Sequence, residues 1–209
     1  DLEVIGKYPQ IDNVKCNCDP IYDELFIDNI GYSKVDFTPK TPLGILNEKS
    51  KTTDLLSSPS VGYTNKLLIS YKLKEAIINL ENDNFQVFKT KIELNTNKQI
   101  DYWILNPIKF NYLNIDFDKS DIYLMSSLFD KVEKLDIKSF SNFSFEKERI
   151  QNLGYPYRLF IEKVSFDISK NNDFLIIDNV NGGIGYYVSE KLKNKIQEMK
   201  LTGIQFDKV

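Results

Sequence analysis

The sequence predicts an α+β protein with a mainly antiparallel sheet and a few helices, on three observations. Short apolar stretches with period-two alternation recur between turn formers. Two segments place a serine before apolar residues at helical spacing. The composition is aromatic-rich, with 14 Phe and 12 Tyr among 209 residues, 42 % of them hydrophobic. A chain of this length buries roughly 70 % of the surface its unfolded state exposes, enough for a real core. One domain is expected, with a loop-rich amino-terminal part over residues 1–60 and a patterned region over 61–209.

Taken in order, residues 1–42 offer short apolar runs, Val4 with Ile5 and then residues 21–30, broken by Pro9, Pro20, Gly31 and Pro39. The run 21–30 reads as a short helix or a strand. Residues 41–60, rich in Thr, Ser, Lys and Pro, read as a loop or linker. Leu67, Leu68 and Ile69 then end a strand, Ser70 caps, and a helix reaching Glu81 aligns Leu73, Ile77 and Leu80 on one face. Strands are expected over 85–94 and 99–105, joined into a hairpin by the polar turn 95–97. After Pro107, residues 110–117 read as a short strand, 121–128 as a further apolar segment, and Val132, Leu135 and Ile137 as helix or strand. Residues 139–154 read as a loop with a turn of helix at 146–152. Strands follow over 157–164 and 174–179, the second joined through a glycine turn to residues 186–188.

The ending is a unit of its own. Asn181 and Gly182 turn, Ser189 caps, Leu192, Ile196 and Met199 form one helical face, and Gly203 stops the helix before Ile204 and Phe206 in a final strand. A shift of 119 residues superposes it on the earlier helix, pairing Ser70 with Ser189, Lys72 with Lys191, Leu73 with Leu192, Ile77 with Ile196 and Gln86 with Gln205. The chain is therefore expected to hold two similar strand-helix-strand units, at about 67–90 and 186–209.

Composition and chemistry narrow the function. The formal charge of -3 and pI near 5.2, with 27 basic residues interspersed among 30 acidic ones, disfavour nonspecific nucleic-acid binding. No apolar run approaches the roughly 20 residues of a membrane-spanning helix. The amino terminus lacks a basic-then-apolar signal, and the absence of Met at position 1 leaves a removed leader open. Cys16 and Cys18 in a strand would share one face about 7 Å apart, too far for a disulfide, so reduced thiols and a cytoplasmic setting are expected.

No histidine occurs, which removes every Ser-His, Cys-His and His-metal arrangement. Ser70 and Ser189 are each followed by Lys two residues on, not three, so they are caps and not members of a Ser-Lys dyad. Gly182, Gly183 and Gly185 fit neither phosphate-loop spacing and read as a hairpin turn. Asp116, Asp118 and Asp121 are the one group that suits Mg²⁺ or paired-carboxylate catalysis, with Asp116 and Asp118 on one strand face; solvated edge residues are the plainer reading. Tyr155, Tyr157, Tyr186 and Tyr187 suit a core or a contact surface, with core favoured. No catalytic, cofactor-binding or metal-binding residue is assigned.

The run Tyr187-Val188-Ser189-Glu190-Lys191-Leu192-Lys193 followed by Leu201-Thr202-Gly203-Ile204-Gln205-Phe206 resembles the carboxy-terminal signature of a bacterial immunity family. This is family eleven of the polymorphic-toxin immunity proteins, formerly a domain of unknown function, in which a strand enters V-S-E-x-L at a helix start and L-T-G-hydrophobic-x-F follows. Tyr102-Trp103-Ile104-Leu105-Asn106-Pro107-Ile108 with Ile115-Asp116-Phe117-Asp118-Lys119-Ser120, and Leu68-Ile69-Ser70 before a helix, are similar to its central and first segments. The likeness spans about residues 67–209. It implies a cytoplasmic, non-enzymatic protein without cofactor that binds and neutralises a cognate toxin. The alternative is a small-ligand-binding or metal-dependent enzyme using Asp116, Asp118 and Asp121.

Overall fold

The computed structural model describes residues 1–78, 80, 83–96, 98–127, 130–167, 169–170 and 172–209. Among them, four helices and eleven strands in two mostly antiparallel sheets make an α+β fold dominated by sheet. The chain divides into two compact units: Asp1–Lys109 with Val188–Phe206, and Phe110–Tyr187 with Asp207–Val209.

In the first unit, α1 (Leu2–Ile5) and β1 (Ile11–Lys15) precede β2 (Leu43–Leu46), β3 (Leu55–Leu56) and β4 (Leu67–Ile69). Then come α2 (Tyr71–Ile78), β5 (Phe85–Glu93) and β6 (Gln99–Pro107), with sheet order β1-β2-β5-β6-β4-β3. The alternation read as a hairpin pairs β5 with β6 from Phe85 opposite Pro107 to Glu93 opposite Gln99. Asn97 of the joining turn lies outside the described residues. β4 pairs with the other side of β6, so α2 is the crossover of a split β-α-β unit. Ser70 begins α2 as expected: its hydroxyl accepts from the Leu73 amide (3.2 Å), and Leu73 and Ile77 are buried beneath. The expected end of that helix at Glu81 lies outside the described residues.

Residues 41–60 are not a linker: they supply β2 and β3. Leu43 and Ile45 alternate with buried Gly44 and Leu46, and β2 runs parallel to β5. Gly44 is needed there because a Cβ would stand 2.7 Å from the Ile92 methyl and 3.1 Å from the Tyr63 hydroxyl. Polar composition concealed the strand because only four residues of the stretch pair there. Ile11, Phe26, Ile27, Leu68, Ile92 and Ile104 are wholly enclosed in the core of this unit.

The second unit contains β7 (Asp121–Met125), β8 (Lys131–Lys134), α3 (Phe140–Leu153), β9 (Arg158–Lys163), β10 (Phe174–Val180) and β11 (Gly183–Val188), with sheet order β11-β10-β9-β7-β8. Two expectations fail. Residues 110–117 form two 3-10 turns, Tyr112–Asn114 and Phe117–Lys119, joined through extended Ile115. Residues 139–154 are chiefly α3, capped by Ser139, whose hydroxyl accepts from the Asn142 amide, and ended at Gly154. Phe143 and Ile150, seven apart, are the buried stripe; the aromatic and serine content masked it. The apolar segment 121–128 is β7 up to Met125, and Leu128 lies outside the described residues.

The final helix, α4 (Glu190–Glu198), belongs to the first unit, and Ser189 caps it by accepting from the Leu192 amide (3.1 Å). Leu192 and Ile196 are buried, but Met199 is 39 % exposed and is not part of that face. Lys200, at φ +53°, closes the helix while the Leu201 amide returns to the Ile196 carbonyl. Lys195 Nζ donates to the carbonyl of Ala76 on α2, the position it matches in the 119-residue shift.

The likeness stops after the helix, because residues 204–206 form no strand. Instead the segment after α4 is pinned to β3 and its approach. The Thr202 amide donates to Asp54 Oδ2 (2.9 Å), the Leu55 amide to the Thr202 carbonyl (3.1 Å), and the Ser70 hydroxyl to Asp54 Oδ1 (2.6 Å). Gly203, at φ +80°, leaves the space in which a Cβ would meet the Leu55 carbonyl oxygen at 2.3 Å. The L-T-G motif is a docking clip for this segment, not a helix stop.

Candidate protein-binding surface

The segment 21–30 is neither helix nor strand, because the polar side chains around it compete for its backbone. Asp19 Oδ1 accepts the amides of Ile21 (2.9 Å) and Tyr22 (3.3 Å), and Asp23 Oδ1 accepts that of Leu25 (3.0 Å). Asn29 closes the loop, its side-chain amide donating to the carbonyls of Asp23 (2.8 Å) and Pro20 (3.1 Å). Phe26 and Ile27, fully enclosed, fix its base, and the Ile27 amide bonds the Lys40 carbonyl (3.0 Å). Two ion pairs flank it: Lys40 with Asp23 and nearly buried Lys66 with Asp28, each at 2.5 Å. Gln86 of β5 holds the following stretch like a paired strand, accepting the Val35 amide (2.9 Å) and donating to its carbonyl (2.8 Å).

The result is a fastened loop with an apolar tip. Ile21 is 73 % exposed and Tyr22 82 %, with Leu25, Tyr32 and Phe37 also exposed. Large apolar side chains held in water on a rigid base are the usual anchors of protein recognition. The hydrogen bond from Lys40 holds the Asp23 carboxyl below the usual range, so the fastening stays charged at neutral pH.

The sequence-flagged carboxylates do not assemble. Asp116 leads into a 3-10 turn and pairs with Lys119 (2.6 Å); Asp118, within that turn, faces Lys138 (3.7 Å); Asp121 opens β7 and pairs with Lys134 (2.5 Å). The expectation of Asp116 and Asp118 sharing a strand face fails because the segment turns instead of extending. Among the described residues no group of three Cys, Asp or Glu is placed to hold a metal ion.

The tyrosines divide. Tyr155 is 99 % exposed and Tyr157 exposed, against the favoured core reading; Tyr186 and Tyr187 are half-buried, Tyr187 packing edge-on to Phe166. The turn beside them is made by Asn181 and Gly182, at φ +49° and +80°, while Gly183 and Gly185 are within β11. Cys16 and Cys18 are both free, and burial first of all pushes their thiols up, away from reactivity.

One polar cluster had no sequence signal. Tyr112 donates to Asp178, and Lys147 reaches both the Tyr112 hydroxyl and Asp178 (3.0 Å), joining a 3-10 turn, α3 and β10. Burial above all, then the Asp178 charge, raises the Tyr112 pKa, so the phenol stays protonated and acts as a fixed donor. Its three members are 35 and 31 residues apart, which no local pattern reveals.

Compared with protein-family models, with curated proteins and with solved structures, the chain gives no match. No helix among the described residues is long and apolar enough to cross a membrane.

Proposed function

We propose that this chain is a bacterial immunity protein that acts in the cytoplasm, binding a cognate toxin domain and blocking it by direct protein-protein contact without chemistry of its own. The observation that carries the reading is the loop 19–29: an apolar tip, Ile21 and Tyr22, exposed to solvent on a backbone fastened by hydrogen bonds and ion pairs. The terminal motifs that resemble family eleven of the polymorphic-toxin immunity proteins supply the kind of partner. A specific complex of this type buries about 1,200–2,000 Å² in total, a scale within reach of the loop and its surroundings. The reading through Asp116, Asp118 and Asp121 has no comparable support, since Asp116 and Asp121 pair with different lysines and Asp118 faces Lys138, which lies closer to Asp136.

The test is co-expression with the toxin encoded beside this gene. Protection of the cells and co-purification of the two chains are expected. Death of the cells despite full expression of this protein would contradict the reading.

A further inference from the structure

We infer that the loop-bearing face, residues 19–37, is the toxin-contacting surface and that it fits a basic protein face with an apolar recess at its centre. The inference rests on the immunity reading and adds to it the place of contact and the chemistry of the partner.

Charge selects this face. Residues 19–37 contain five acids, Asp19, Asp23, Glu24, Asp28 and Asp36, against Lys34 alone, while the whole chain has a formal charge of only -3. The negative excess of the protein is thus concentrated in one segment. Asp23 and Asp28 are matched internally by Lys40 and Lys66. Asp19, Glu24 and Asp36 are exposed and have no ion pair among the described residues. Lys34 is the one opposing charge of the segment.

The arrangement separates two tasks. Ile21 and Tyr22 offer an apolar centre whose burial excludes water, and Tyr adds a hydroxyl at low conformational cost. The exposed carboxylates of the same segment attract lysine and arginine at a distance and set orientation, an effect that salt screens. Because the backbone is already fastened by Asp19, Asp23 and Asn29, little ordering remains to be done on contact.

The experiment measures affinity of the purified full chain for the toxin encoded beside its gene, by calorimetry at low and at high salt. Tyr22→Ala with Ile21→Ala is expected to weaken binding by about 30-fold or more. Glu24→Lys with Asp36→Lys is expected to weaken it about tenfold and to flatten the salt dependence. Melting curves matching that of the wild type show that these exposed changes leave the fold intact. Wild-type binding that the loop variants do not weaken, or that salt does not weaken, overturns this surface and leaves the immunity reading standing. Absence of wild-type binding removes both, and a homodimer broken by the loop variants assigns the face to a second copy and overturns the basic partner.

Discussion

Two loops of this molecule lift aromatic side chains into water, and they are built on opposite plans. The loop 19–29 exposes Ile21 and Tyr22 over a base of enclosed Phe26 and Ile27, tied by Asn29, Asp19, Asp23 and Lys40. The turn 153–157 exposes Tyr155 and Tyr157, contains no charged residue, and is closed by backbone bonds, from Gly154 to Gln151 (3.1 Å) and from Tyr157 to Gly154 (2.9 Å). Exposure is therefore a poor guide by itself, since Tyr155 is the more exposed ring. What distinguishes the first loop is that its own side chains, Asp19, Asp23 and Asn29, also bond its backbone, which lowers the ordering cost of binding.

The largest expected effect comes from removing the base of the first loop. Phe26→Ala should cost about 3–5 kcal/mol in denaturant unfolding, because a fully enclosed ring leaves a cavity. Tyr112→Phe tests where the second unit is fastened. It should cost about 1–3 kcal/mol, leaving Lys147 and Asp178 to pair alone, while proteolysis at 153–157 stays unchanged. Asn29→Ala should cost about 1 kcal/mol and open residues 19–29 to protease, since its amide spans the loop.

Acid should separate the loops in the same way. Lys40 lowers the pKa of Asp23, so the contribution of that pair is present in full above the ordinary value of 3.8 and is lost as the pH falls below it. Amide exchange in 19–29 should rise over that interval, and Asp23→Asn should remove the dependence. Smallest of all, Tyr155→Ala should change stability by no more than about 0.5 kcal/mol, because its ring touches almost nothing.

The parts of the fold legible in the sequence are those set by local rules. The hairpin 85–107 followed from alternation, and both serine caps from serine ahead of helical spacing. The parts missed depend on partners far along the chain. β2 exists because β1 and β5 flank it, and the stop assigned to Gly203 became a docking clip only once Leu55 and Asp54 lay beside it. α3 was hidden for a different reason, its stripe reduced to Phe143 and Ile150 amid serines and exposed Phe145. The candidate surface was half visible. Its acids and aromatics stand in the sequence, but the 21–30 run could not reveal that Asp19, Asp23 and Asn29 would take its backbone from both helix and strand.

Hydrogen exchange of the full chain, alone and mixed with the toxin encoded beside its gene, tests the central claim most directly. The account predicts new protection across residues 19–37 and none at 153–157. Protection at 153–157 with residues 19–37 exchanging as in the free protein would contradict it.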